Sequence, residues 1–226
     1  MRPVVELVEA SKLYRTNGDA VCALRQASLA LEEGSFTAVV GRSGCGKSTL
    51  LSLAGAVDLP TSGDVRIDGV STSQLSDSDL SRLRRRQIGF VFQFFHLLPT
   101  LTVTENVALP LLLEHSKLSG EMETGIAELL DEMGLAHKAR HFPHQLSGGE
   151  MQRVAIARAL AHHPRVVIAD EPTGNLDSVN AESVLQWLAK ISNQMGRTVL
   201  MATHSREAAA VASRVIEMRD GKLLNA

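Results

Sequence analysis

Short apolar runs at Phe36–Val40, Arg165–Asp170 and Thr198–Thr203 predict buried strands. A strand covered on both faces of a parallel sheet reads as such a run, without alternation. Ile88–Phe92 predicts another strand. Val4–Ala10 and Ala23–Leu31 predict earlier ones, the second with Leu29 and Leu31 alternating against polar neighbours. Asp64–Gly69 reads as a short strand after the turn Leu59–Gly63. Asp220-Gly221 between Val215–Arg219 and Lys222–Leu224 signals a hairpin. Helical patterns cover Leu50–Ala54, the polar stretch Asp77–Arg86, Glu121–Met133, the segment after Ser147, Ser178–Ile191 and Ser205–Ala212. Ile126, Leu129, Leu130 and Met133 share one helical face, as do Met151, Val154, Ala157 and Leu160. Residues 94–160 read as a helical insertion between two α/β stretches, 1–93 and 161–226. Val107–Leu113 is apolar but short, and Pro110 interrupts it.

Composition narrows the class. With 226 residues and 44% hydrophobic content the chain supports one full-sized core. The net charge of −2 and pI near 6.4 argue against a general nucleic-acid or membrane-surface binder. Arg82, Arg84, Arg85 and Arg86 read as a solvated helix face. Cys22 and Cys45 read as free thiols of a reducing compartment. Met1–Glu6 lacks a signal-peptide apolar core, and no run reaches the roughly 18 apolar residues of a spanning helix. A cytoplasmic location is expected, with any membrane role requiring a separate partner.

The chemistry lies at strand ends. Gly41-Arg42-Ser43-Gly44-Cys45-Gly46-Lys47-Ser48-Thr49 has the spacing G-x-x-x-x-G-K-S between a predicted strand and a predicted helix. Its glycines let backbone N–H groups surround an anion, and the helix start adds its positive dipole end. Lys47 would reach the β- and γ-phosphates, and Ser48 would ligate Mg²⁺. Asp170 ends an apolar strand and suits a second Mg²⁺ ligand. Glu171 is then placed to polarise an attacking water. Ligands of open parallel sheets bind beyond the carboxyl ends of strands, so Gly41, Asp170-Glu171 and His204 are expected in one site. Tyr14, between the first two predicted strands, reads as a half-buried aromatic or as an adenine-stacking face.

Ser147-Gly148-Gly149-Glu150 is a capping box with two glycines in the first helical turn. Each costs about 1 kcal/mol against alanine in a helix, with no evident structural gain. A rule broken in this way points to function. Bare N–H groups there suit an anion, and the chain already has one phosphate loop. A second copy's nucleotide is the expected occupant, in a head-to-tail dimer.

Together these motifs resemble the ATP-binding subunit of ABC transporters over nearly the whole chain. Gly41–Thr49 looks like Walker A, Gln93 the Q-loop, Leu146–Glu150 the signature, Val166–Asp170 Walker B, Asn175-Leu176-Asp177 the D-loop, and His204 the switch histidine. The resemblance implies a single ABC domain: a P-loop, RecA-like α/β core with an antiparallel β subdomain and the helical subdomain at 94–160. It implies ATP and Mg²⁺ as cofactors, and catalytic roles for Glu171, His204, Gln93 and Lys47. Gln93 would also touch Mg²⁺, and Asp177 would communicate across the dimer. Ser147, Gly148, Gly149 and Glu150 would face ATP held by the opposite copy, and Tyr14 would stack on adenine. Ile88–Thr102, Glu105–Pro110 and Asp170–Asp177 look like the MacB/LolD group, related to the cell-division protein FtsE. This implies a location at the cytoplasmic face of the membrane, through a permease docking near Phe94–Leu98. The work done would be export or lipoprotein extraction. A second reading is an FtsE-like ATPase that regulates a membrane protein without transport. No nucleic-acid partner is expected.

Overall fold

The computed structural model describes residues 3–16 and 19–224. The chain opens with β1 (Val5–Thr16) and β2 (Asp19–Leu31), a long antiparallel pair. Both outrun the expected strands Val4–Ala10 and Ala23–Leu31. Register shifts, with Glu9 and Gln26 at positive φ, break the alternation that sequence reading relies on. After β3 (Phe36–Val40) comes the glycine loop and α1 (Lys47–Ala54). β4 (Ser62–Ile67) and β5 (Val70–Ser71) complete a four-stranded sheet in the order β2-β1-β4-β5.

α2 (Asp77–Gln87) runs into β6 (Ile88–Phe92). Three helices then follow without a strand: α3 (Val103–His115), α4 (Gly120–Glu132) and α5 (Gly148–Leu160). Sequence periodicity gives no helix for α3, because apolar side chains surround it on all sides and Pro110 lies within it. The legible signal is at its start, where Thr102 and Glu105 form a reciprocal capping box. The chain ends with β7 (Val166–Asp170), α6 (Ser178–Asn193), β8 (Thr198–Thr203), the single turn α7 (Arg206–Ala209), and the hairpin β9 (Arg214–Arg219) and β10 (Lys222–Leu224). The helix expected over Ser205–Ala212 is thus shorter.

The second sheet has the order β10-β9-β3-β8-β7-β6, parallel except at the β10 edge. Every residue of β3 and β8 is buried. One face of this sheet packs on α3, α5 and α6 through Val40, Val91, Val154, Ala169 and Leu188. The other packs, with α1 between, against the antiparallel sheet through Leu50, Leu53, Ile168, Leu24 and Leu31. Gly89 lets α5 lie close on β6, since a Cβ there would sit 2.3 Å from the Ala159 carbonyl. Cys22 and Cys45 are both free.

Candidate active site

Strand order decides the site. β3, β8, β7 and β6 are neighbours, so their carboxyl ends bring Gly41, His204, Asp170-Glu171 and Gln93 along one edge. A cleft of about 590 Å³ opens there, lined by Ser43, Gly44, Gly46–Thr49, Gln93, Asp170, Glu171 and His204, with Ala23, Phe92, Phe94 and His96. A second cleft, about 670 Å³, borders the other side of the loop at Gly41–Cys45. All nine residues of the glycine loop thus wall these clefts. Gly44 (φ 77°) and Gly46 (φ 110°) adopt left-handed backbone. A Cβ on Gly46 would lie 2.3 Å from the Ala23 carbonyl. Gly46 caps α1 without any side-chain hydrogen bond, leaving the first N–H groups free for an anion. The Lys47 ammonium, 7% exposed, donates to the carbonyls of Gly41 (2.8 Å) and Arg42 (3.3 Å) and lies 3.5 Å from Glu171 Oε1.

The two carboxylates differ in setting. Burial, reinforced by the charge of Glu171, raises the Asp170 pKa above its ordinary value. Ser48 and Lys47 pull the other way. Asp170 Oδ1 is buried and has no hydrogen-bond partner. An unsatisfied carboxylate oxygen beside a serine hydroxyl and a phosphate cradle fits Mg²⁺, which takes one or two protein ligands plus phosphate oxygens. Glu171 occupies left-handed backbone (φ 47°), unusual for a residue with a side chain and often found at functional sites. Its Oε2 accepts from the His204 backbone N–H (3.2 Å) and faces His204 Nδ1 at 2.9 Å. The His204 side chain is otherwise 67% exposed. Gln93 is held by Asn175, donating to its Oδ1 (3.3 Å) and accepting from its Nδ2 (3.2 Å).

Other expected residues lie elsewhere. Ser147–Glu150 does not line the cleft. Ser147 Oγ accepts from the Glu150 N–H (3.3 Å), and the Glu150 carboxylate accepts from the Ser147 N–H (2.7 Å), which lowers its pKa. The expectation that both glycines lack a structural reason fails at Gly149. A Cβ there would sit 1.9 Å from Asn180 Oδ1 and 2.9 Å from Asn180 Cβ. Gly148 has room, its nearest neighbour being Leu176 Cδ2 at 3.5 Å. Asp177 caps α6 and spends both carboxylate oxygens on Asn180, whose backbone N–H chiefly lowers its pKa. Tyr14 is not between strands but within β1, opposite Val21. It lies outside the cleft lining and donates to Asp58 at 3.0 Å, with the Lys12 ammonium 5.3 Å from its ring centroid. Sequence reading missed Gln152. Fully buried, it donates to the carbonyls of Pro172 (2.7 Å) and Phe92 (3.3 Å) and so joins the strand ends of β7 and β6. A glutamine among the apolar positions of a helix is the signal that marks it.

Comparison with known proteins gives the family. The profile of the ABC transporter family matches residues 24–174. The dimeric structure of MJ0796, a bacterial ABC transporter cassette, is 43% identical with a TM-score of 0.89, over 97% of this chain and 96% of that one. The same values hold for its post-hydrolysis dimer bound to ADP and Pi. CbiO1 of Clostridium perfringens, part of the ABC transporter complex cbiONQ, is 27% identical with a TM-score of 0.86, over 99% and 88%. The chain therefore belongs to the ABC transporter family, as an ATP-hydrolysing, nucleotide-binding cassette with the α/β P-loop fold and antiparallel β subdomain of its relatives.

Proposed function

We propose that this cassette binds ATP with Mg²⁺, pairs head-to-tail with a second copy around two nucleotides, and powers a separate integral membrane subunit. We assign it to the MacB/LolD group, working in export or lipoprotein extraction. The observation that carries the pairing is the separation of two anion-ready helix ends. The α1 start lies inside the cleft, whereas the glycine-rich α5 start lies outside it and has no nucleotide of its own to serve. The MJ0796 cassettes, dimeric and in one structure bound to ADP and Pi, support pairing of two copies. In this reading residues 1–93 and 161–226 hold the nucleotide, and 94–160 is the helical unit that carries Ser147, Gly148 and Gly149 to the second copy. Glu150 sets their geometry through the capping box, Asp177 meets the second copy near its α6 cap, and Tyr14 supplies the adenine face.

Within the cleft, the amides of Gly41–Thr49 and the Lys47 ammonium bind the phosphates. Ser48, Asp170 and Gln93 would hold Mg²⁺, which when bound neutralises charge on the phosphate oxygens. Glu171 takes the proton of the attacking water. The His204 N–H and Nδ1 fix one of its oxygens, leaving Oε1 toward Lys47. An ionised carboxylate only accepts, so the His204 proton sits on Nδ1 in this contact. That leaves Nε2 of the exposed ring open toward the nucleotide, where a hydrogen bond to the γ-phosphate requires a second proton on the imidazole.

Glu171→Gln is expected to lower turnover by about 10²-fold or more, the contribution typical of a general base. It should also accumulate an ATP-dependent dimer on size-exclusion chromatography. Undiminished hydrolysis overturns the base assignment, and a monomer at saturating ATP overturns the sandwich.

A further inference from the structure

The segment after β6 holds two consecutive residues in the left-handed region, Phe95 (φ 58°) and His96 (φ 48°). Neither is glycine, so the conformation is unfavourable and something must impose it. The carbonyls of both residues turn to one side chain. Arg158, near the end of α5, donates Nη2 to Phe95 O at 2.7 Å and Nη1 to His96 O. Among the described residues no carboxylate pairs with this guanidinium. Burial disfavours its charge. A half-buried cation without a counter-ion, on two carbonyls, is a costly way to build a loop. The fork geometry of arginine suits two carbonyls from one donor.

The same segment touches α5 at its other end. The Phe95 ring lies 3.9 Å from where a Cβ of Gly148 would be. The far side of the segment is held on α3, where the buried Asn106 accepts from the Leu98 N–H at 2.8 Å. Phe94 is left 67% exposed.

We propose that Arg158 is a positioning residue that ties the Phe94–Leu98 segment to α5, so that seating of the α5 N-terminus on a second copy's ATP is transmitted to that segment. This rests on the nucleotide sandwich proposed above. The guanidinium contributes no group to the nucleotide, and its effect is to make two surfaces move together.

Hydrogen exchange of full-length protein tests this, in the Glu171→Gln background with and without ATP and Mg²⁺. With Arg158 present, ATP should slow exchange both at 147–150 and at the amides of Phe95–Leu97. In Arg158→Met, the Phe95–Leu97 amides should exchange roughly tenfold or more faster, the cost of losing hydrogen bonds to a charged group. Their response to ATP should vanish while that at 147–150 persists. The Leu98 amide, held by Asn106, should keep its protection. Arg158→Lys, which keeps the charge and one hydrogen bond, should restore part of the response, and it serves equally if the Met variant folds poorly. A simple loosening of the loop would speed exchange in both states and leave the ATP-dependent difference in place. Such a difference, unchanged in both variants, overturns the coupling alone. No ATP response at 147–150 with Arg158 present overturns the sandwich, and the coupling with it.

Discussion

A methyl group at Gly149 would lie 1.9 Å from Asn180 Oδ1, whereas one at Gly148 would meet only an ordinary contact. The two neighbouring glycines are therefore different objects. Gly149→Ala is expected to lose about 1–3 kcal/mol of stability from overpacking, despite the better helix propensity of alanine. Gly148→Ala should stay within about 1 kcal/mol of the parent in the same urea titration. In Asn180→Ala the penalty of Gly149→Ala should shrink, because only the Cβ clash remains. Equal penalties in both backgrounds would remove the steric account. Gly148, which the packing leaves free, is then the one whose substitution isolates a role toward a nucleotide. Local sequence could not separate the pair, since Asn180 approaches from another helix.

At the scale of elements, α5 organises the edge of the sheet. It reaches β6 through Gly89, the loops through Gln152 and Arg158, and the start of β6 through His162 just past its end. His162 Nε2 donates to the Ile88 carbonyl at 3.1 Å, and its Nδ1 is buried without a partner. Burial lowers its pKa from the ordinary 6.5. Below about pH 6.5 the unfolded chain gains a proton at His162 that the folded chain refuses, so stability falls as pH drops through that window. The urea midpoint should decline between about pH 7.5 and about pH 5.5, and decline less in His162→Gln, which can still donate to Ile88. An equal decline in both proteins would show that other groups carry the pH dependence. The missed helix α3 belongs to this scale too. Its apolar side chains are spread around the helix, with Leu113 61% exposed, so the sequence carries no 3.6-residue stripe, only the Thr102–Glu105 cap.

For the whole molecule, no helix among the described residues is long and apolar enough to cross a membrane. The membrane subunit proposed above would be met by surface, and Phe94 (67% exposed) with Leu98 (43% exposed) is the apolar patch proposed for it. Leu98→Asp is expected to reduce recovery of the membrane subunit in pull-downs while ATP binding by the cassette is retained. Leu97→Asp should do the same but also cost stability, because Leu97 packs against the core. Unchanged recovery with both would move the docking surface elsewhere.

The phosphate loop, the strands β3, β6, β7 and β8, and the carboxylates at the end of β7 were determined by sequence alone. Their signals are local: a nine-residue spacing, apolar runs, and charged residues at the ends of those runs. The tertiary structure decided what those ends face. Adjacency of β3, β8, β7 and β6 is a matter of crossover connections between distant segments, and it sets Lys47 3.5 Å from Glu171 and His204 on the same carboxylate. The same holds for Gly149 against Asn180 and Arg158 under Phe95 and His96. Each joins residues from separate elements, and no spacing along the chain encodes such a meeting.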